Sequence, residues 1–351
     1  MRVAYDLTAL QINSSGVARW ITALRRALAA RDEPEIVDIA QPQRAREGRV
    51  PHALLREGAW LPAGLANAAR RTGADVLHCP APLGPWRRGS VPVVLSIYDV
   101  MPLRRPEWFT AANRWHTRLV LPRIARGADI VLVPSAFSRD ELLDEVPGLA
   151  PDRVVVVSGG VDAQFCAGPR PDAERPYLLT VGELQPRKNV ETAIRAFGQL
   201  ASQHPELELL VVGARGWGEA PVTHEIGSAA ERVRFAGHVS DQRLVELYRG
   251  ASALLFPSRY EGFGLPALEA MACGTPVVAA RAASLPEVVG DAGLLVDPGD
   301  AGAWAAATGR LLDDADLVAE LRTRGLARAA RFTWHRCAEQ TVAAYRQAAA
   351  A

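Results

Sequence analysis

Two glutamates, Glu261 and Glu269, lie in the run Phe256-Pro-Ser-Arg-Tyr-Glu-Gly-Phe-Gly-Leu-Pro-Ala-Leu-Glu-Ala-Met-Ala-Cys-Gly-Thr-Pro-Val-Val-Ala279. Acidic groups in an apolar, glycine-punctuated stretch are costly to place without partners. Their spacing allows a catalytic acid pair, and it equally allows a helix-cap acid beside a buried ion pair. A second constellation precedes them: Val181-Gly-Glu-Leu-Gln-Pro-Arg-Lys-Asn-Val190 places two adjacent cations, Arg187 and Lys188, between a strand and a helix. Asn189 is a good N-cap, and the positive end of the helix reinforces the two side chains, which together suit a diphosphate. The plain alternative is a basic helix start on a solvated surface. Lys188 is the only lysine among 40 basic residues. A compact ammonium retained against so strong an arginine bias suits a phosphate site better than a planar fork does.

These residues need a scaffold, and the apolar periodicity supplies one. Ala253–Phe256 predicts a buried strand, Gly262 and Gly264 a turn, and Pro266 the first turn of a helix, where its missing N–H costs nothing. Gly274 reads as the residue past that helix, with a strand over Val277–Ala280 to follow. Glu261 then precedes a helix N-terminus and Glu269 lies about one turn inside it. Both can face the carboxyl edge of a parallel sheet, where open α/β folds bind ligands.

The N-terminal half has the same rhythm. Strands are expected over residues 3–7, 35–39, 75–79, 91–97, 130–134 and 154–157, with helices over 17–30, 65–71, 111–126 and 138–145. A Pro-rich, charged break at 169–176 reads as a linker. Strands at 177–181, 208–212 and 233–236 and helices at 190–203, 242–249 and 265–273 restart the pattern, with alanine-rich helices after 301. The expectation is α/β: an N-terminal domain over 1–168, the linker over 169–176, a second Rossmann-like domain over 177–333 and a final helix over 334–351. A cleft between two such domains is a favoured place for a nucleotide and a second substrate.

A net charge of +1 gives no reason to expect nucleic acid as a partner. The four cysteines, Cys79, Cys166, Cys273 and Cys337, lack metal-ligand spacing and read as reduced thiols of a cytoplasmic protein. The chain begins on a strand-like segment without a signal-peptide pattern and has no run of membrane-spanning length. Aromatic and basic residues cluster at Trp86-Arg-Arg88, Arg104-Arg-Pro-Glu-Trp-Phe109 and Arg114-Trp115. Such a patch suits peripheral contact with a bilayer or a lipid-linked acceptor, and ordinary packing beside solvated arginines explains it as well. Gly213-Ala-Arg-Gly-Trp-Gly218 has the wrong spacing for a dinucleotide fingerprint and reads as a surface loop.

Taken together, Val181-Gly-Glu183, Arg187-Lys-Asn189 and Glu261-Gly-Phe-Gly-Leu-Pro266 with Glu269 resemble the retaining glycosyltransferases of family 4, which have the GT-B fold. Gly16-Val-Ala-Arg-Trp20, Tyr98-Asp-Val-Met-Pro-Leu103, Ser135-Ala-Phe-Ser138, Gly160-Val-Asp162, Gly237-His-Val-Ser-Asp241 and Leu285-Pro-Glu-Val-Val-Gly-Asp-Ala-Gly293 fall in family order, so the resemblance spans nearly the whole chain. It implies two Rossmann-like domains facing across a cleft, with the C-terminal helix crossing back to the N-terminal domain. It also implies that Glu269 binds the ribose. Glu261 meets the transferred sugar, with the backbone around Gly262, Phe263, Gly264 and Leu265. Arg187 and Lys188 neutralise the departing diphosphate, Gly16 lets the N-terminal loop approach it, and main-chain groups at His238 and Val239 hold the base. Asp99 orients the acceptor or the sugar.

The family usually has histidine where Tyr98 stands. His78 and His116 are assigned structural roles. The pattern looks most like bacterial mannosyltransferases of polysaccharide or glycolipid assembly. GDP-mannose is therefore the first expected donor and a UDP-sugar the second, with a saccharide or lipid-linked acceptor and neither cofactor nor metal. A nucleotide-sugar epimerase and a non-catalytic nucleotide-sugar binder are the rival readings.

Overall fold

The computed structural model describes residues 1–12, 16–42, 56–86, 89–171, 174–214 and 223–350. The chain divides into two compact units, Met1–Gly160 with the helix from Trp334 onward, and Val161–Thr333. Phe165 and Cys166, which precede the Pro-rich stretch, belong to the second unit. There Phe165 packs edge-on to Tyr248 and the Cys166 carbonyl accepts from Arg249 Nε at 2.9 Å.

In the first unit the order is β1 (Arg2–Asp6), α1 (Gly16–Ala29), β2 (Glu35–Ile39), a π-helical segment (Arg56–Gly64), α2 (Leu65–Arg71), β3 (Val76–Cys79), β4 (Val93–Ser96), α3 (Met101–Arg104), α4 (Ala111–Gly127), β5 (Ile130–Val133), α5 (Ala136–Glu145) and β6 (Val154–Val156). The six strands form one parallel sheet in the order β2-β1-β3-β4-β5-β6. β3, β4 and β5 are buried along their whole length, as a parallel sheet covered on both faces requires.

The second unit repeats the plan with β7 (Tyr177–Val181), α6 (Val190–Leu200), β8 (Glu208–Val212), β9 (Val233–Gly237), α7 (Asp241–Gly250), β10 (Ala253–Phe256), α8 (Leu265–Ala272), β11 (Val277–Ala280), α9 (Leu285–Val289), β12 (Leu294–Val296), α10 (Ala301–Asp313) and α11 (Ala315–Ala329). Its parallel sheet runs β12-β11-β10-β7-β8-β9. Five of these strands are legible in the apolar pattern. The sixth, β12, was not expected: it lacks the four-valine run, Val154 to Val157, that marks the equally short β6, and its three residues are too few for a periodic signal. The short helices α3 and α9 were missed for the same reason.

The last helix, α12 (Trp334–Ala350), belongs to the first unit. Tyr345 on α12 lies 2.6 Å from His78 Nδ1 through its hydroxyl, and Ser96 Oγ lies 3.0 Å from His78 Nε2. Burial pushes the His78 imidazole down to about 3, so it is neutral and serves as the polar tie between β3, β4 and α12. Among the described residues no helix is long and apolar enough to cross a membrane.

Candidate active site

The site is built on the carboxyl edge of the second unit's sheet. β7 ends at Val181, and Gly182 follows at φ +151°. Its neighbour at the end of β8, Gly213, has φ +150°, and a Cβ there would stand 2.0 Å from the Gly182 carbonyl oxygen. Only glycine fits such an approach. A Cβ on Gly182 would in turn meet Lys188 Cδ at 3.1 Å, so the lysine stem lies directly over this glycine. Gly213 is thus a tightly packed, half-buried position just past β8, and Ala214 after it is exposed; residues 215–218 of the expected loop lie outside the described residues.

Arg187 and Lys188 sit in a short 3-10 turn, Pro186–Lys188, ahead of α6. The expected side-chain cap by Asn189 is not what holds this turn. Asn189 is fully buried in a left-handed conformation (φ 54°), and its Nδ2 donates to the carbonyls of Pro257 (3.0 Å) and Pro298 (2.7 Å). Its Oδ1 accepts from Thr192 Oγ1 at 3.1 Å, and its backbone carbonyl accepts from Thr192 N–H at 3.0 Å. Asparagine tolerates this backbone better than most residues, and its amide ties the Arg-Lys turn to the segments following β10 and β12.

The turn delivers both cations to one carboxylate. Lys188 Nζ is 2.6 Å from Glu261 Oε1, and Arg187 Nη1 is 3.2 Å from Oε2. The ammonium also stands 5.1 Å from the centroid of the buried Phe256 ring. The main chain backs this up: Arg259 N–H donates to the Arg187 carbonyl at 2.7 Å. Buried Ser284 places its Oγ 2.8 Å from the Glu261 carbonyl and 2.7 Å from that of Phe263, sharing one proton between them. Burial lowers the Lys188 ammonium, with Glu261 opposing the shift. Burial would raise Glu261, but Lys188 and Arg187 outweigh it and hold the carboxyl below its usual range. Glu261 is therefore ionised at neutral pH, an anion between two basic side chains in a largely desolvated place.

Gly264 (φ +114°) precedes α8, a Cβ there would stand 2.6 Å from Leu285 Cδ2, and Pro266 occupies the first turn as expected. The helix closes on Gly274 (φ +80°), whose N–H donates to Met271, while Thr275 N–H reaches Ala270. Glu269 is buried at 4% exposure, its Oε2 accepting from Tyr248 on α7 at 3.1 Å. The two glutamates therefore have different surroundings: one meets cations, the other a phenol. Gly262 and Leu265 are half-buried, and Phe263 and Gly264 are buried. His238 is exposed and Val239 half-buried just beyond β9, after Gly237, whose carbonyl accepts from Gly213 N–H at 2.9 Å.

Asp99 and Gly16 lie in the first unit. Asp99 Oδ1 accepts from Met101 N–H at 3.0 Å at the start of α3. The Tyr98 phenol donates to the Pro80 carbonyl at 2.7 Å, and its ring stacks edge-on with Trp20 at 5.3 Å. Burial raises this phenol well above its ordinary value, so it is a neutral, anchored ring. Gly16 opens α1, and a Cβ added there would meet nothing within 4 Å. His116 is half-exposed, 3.5 Å from Glu57. Tyr248, Ser284 and Phe256 were not singled out in the sequence. Each acts across elements, and only the lone tyrosine of a polar helix offered any signal. Among the described residues no three His, Cys, Asp or Glu side chains stand together in a metal-holding group.

Residues 14–165 match the family described as Glycosyltransferase Family 4, and residues 166–328 match Glycosyl transferases group 1. The O-antigen chain mannosyltransferase B of Escherichia coli is 35% identical over 269 residues, spanning 72% of this chain and 70% of that protein. The MMP alpha-(1->4)-mannosyltransferase of Mycolicibacterium hassiacum is 33% identical over 302 residues, 81% of this chain and 73% of its own. The fold is similar to that of the sucrose-phosphate synthase of Thermosynechococcus elongatus, with a TM-score of 0.79, 24% identity and coverage of 99% and 98% of the two chains. Anabaena HepE, solved in complex with UDP-glucose, has a TM-score of 0.73 at 20% identity, covering 98% of each chain.

Proposed function

We propose that this chain, which belongs to glycosyltransferase family 4 and is an enzyme of GT-B fold, is a retaining hexosyltransferase that moves mannose from GDP-mannose to a saccharide or lipid-linked acceptor. The observation that carries the reading is the convergence of Arg187 and Lys188 on Glu261 at the head of α6. In such a transfer the bond from the sugar's anomeric carbon to the diphosphate oxygen breaks. A bond to the acceptor oxygen forms on the same face, and the acceptor's proton passes to the departing phosphate oxygen. Negative charge grows on that oxygen, and preorganised cations in a water-poor site lower the barrier most where charge develops. Lys188 and Arg187 fill this role without a metal ion.

The other assignments follow the surroundings of each residue. Glu269, fixed by Tyr248, takes the ribose hydroxyls. Glu261 and the N–H groups of residues 262–265 take the hexose. The main chain at His238 and Val239 takes the base. Gly16 and Asp99 serve the diphosphate and the acceptor. Relatives named for mannosyl transfer support the sugar, while HepE, of the same fold and bound to UDP-glucose, supports a UDP-sugar as the second reading.

The enzyme acts at the cytoplasmic side of a membrane in this reading, with α4 resting on anionic lipid. That helix carries four arginines and no acidic residue, with Trp115 65% and Leu119 51% exposed. Trp115→Glu with Leu119→Glu should abolish co-sedimentation with phosphatidylglycerol vesicles; retention on the vesicles would remove α4 from the proposal.

A thermal-shift panel of GDP, UDP, ADP and dTDP with their sugars tests the function. Preferential stabilisation by GDP and GDP-mannose is expected. Preference for UDP and its sugars moves the enzyme to the second reading, and stabilisation by none of them rejects the assignment.

A further inference from the structure

Both oxygens of the Glu261 carboxylate are occupied by the two side chains that the proposed function gives to the diphosphate. The groups around this contact differ in freedom. The Lys188 stem is pinned over Gly182 and beside Phe256, and its turn is tied down by Asn189. The Glu261 backbone is likewise latched by Ser284, which leaves the glutamate side chain, with its three rotatable bonds, as the member able to swing away. An ammonium has three donors and a guanidinium five, so both cations can turn to a phosphate once the carboxylate leaves.

We propose that Glu261 is a built-in counter-anion: it neutralises Lys188 and Arg187 while the site is empty, yields them to the diphosphate when donor binds, and reclaims them when the nucleoside diphosphate leaves. The proposal rests on the diphosphate reading of this site and adds a role in product release. It has a physical rationale on both sides of the cycle. A desolvated pair of adjacent cations without an anion is expensive, so the empty site needs Glu261. A doubly cationic pocket without a competing carboxylate would also hold a diphosphate product too tightly. Each diphosphate must instead displace Glu261, which sets its affinity lower and its departure faster. In the donor complex the displaced carboxylate becomes available to the hydroxyls of the hexose.

Isothermal calorimetry with GDP and UDP on the full chain, together with steady-state kinetics, tests this. Glu261→Gln keeps the shape and removes the competing charge. Whichever diphosphate binds the wild type should bind this variant at least ten-fold tighter, while kcat falls and inhibition by that product strengthens in parallel. Glu261→Asp keeps the charge but withdraws it by one methylene, and it should tighten binding by a smaller factor. This second variant decides the matter if the glutamine variant does not fold. Unchanged or weaker diphosphate affinity in the folded variants overturns the counter-anion role. The diphosphate reading fails separately: neither GDP nor UDP would then bind the wild type, or Lys188→Ala would bind as well as the wild type does.

Discussion

Tyr248 on α7 and Glu269 on α8 are joined by a 3.1 Å hydrogen bond from the phenol to the carboxylate, both side chains being buried. The Tyr248 carbonyl in turn accepts from Thr275 Oγ1 at 2.6 Å, so one residue fixes both the glutamate and the exit of its helix. With Glu269 in its proposed ribose role, Glu269→Ala should lower nucleoside diphosphate affinity by roughly ten-fold or more through loss of that charge-assisted pair. Tyr248→Phe should leave the fold intact, costing on the order of 1 kcal/mol, and weaken the same affinity less. Calorimetry on both variants checks this, and intact affinity in Glu269→Ala removes the ribose role.

Two glycines should behave in opposite ways. At Gly213 a methyl would overlap the Gly182 carbonyl and the backbone is left-handed, so Gly213→Ala should destabilise the chain by ~3 kcal/mol. At Gly16 a methyl meets no atom, so Gly16→Ala should change stability by less than ~0.5 kcal/mol. If Gly16 admits the donor diphosphate as proposed, turnover should nevertheless fall. Thermal melts and kcat on the two variants separate the cases.

Asp6 supplies a pH dependence. Its carboxyl is fully buried at the end of β1, and burial raises it from about 3.8 to about 7, against the bonds from Thr8 N–H (3.0 Å) and Thr8 Oγ1 (2.5 Å). A raised folded value means that the protonated acid is favoured by the fold. Its contribution is complete below the unfolded value near 4 and is lost as pH rises towards 7. The span corresponds at most to about 4 kcal/mol. Asp6→Asn, which keeps the acceptor, should therefore melt higher than wild type at pH 8 and show little difference at pH 4. Denaturation midpoints across this range check the sign.

The residue types at the site were legible because charge in an apolar setting is itself informative. Arg187, Lys188 and Glu261 do stand together as an ion cluster. Most strands were legible for the same reason, their apolar runs being buried on both faces. What escaped depends on contacts between distant elements: Ser284 latching the Glu261 loop, Phe256 under the ammonium, Tyr248 holding Glu269. Asn189 shows the limit well. Its type suggested a cap, yet its amide is used on Pro257 and Pro298, carbonyls far along the chain that no local pattern reveals.

Treatment with EDTA should leave transfer activity unchanged if, as proposed, Lys188 and Arg187 supply the positive charge that a metal would otherwise bring to the diphosphate. Loss of activity, restored by added Mg²⁺ or Mn²⁺, would assign part of that task to an ion.

The central claim is that Lys188 stabilises the leaving diphosphate, and kcat of Lys188→Ala at saturating donor tests it most directly. With the circular-dichroism spectrum of the folded chain retained, kcat should fall by about 10²-fold or more, the scale seen when one preorganised charge-stabilising group is removed. A folded Lys188→Ala enzyme that turns over at the wild-type rate would contradict the account.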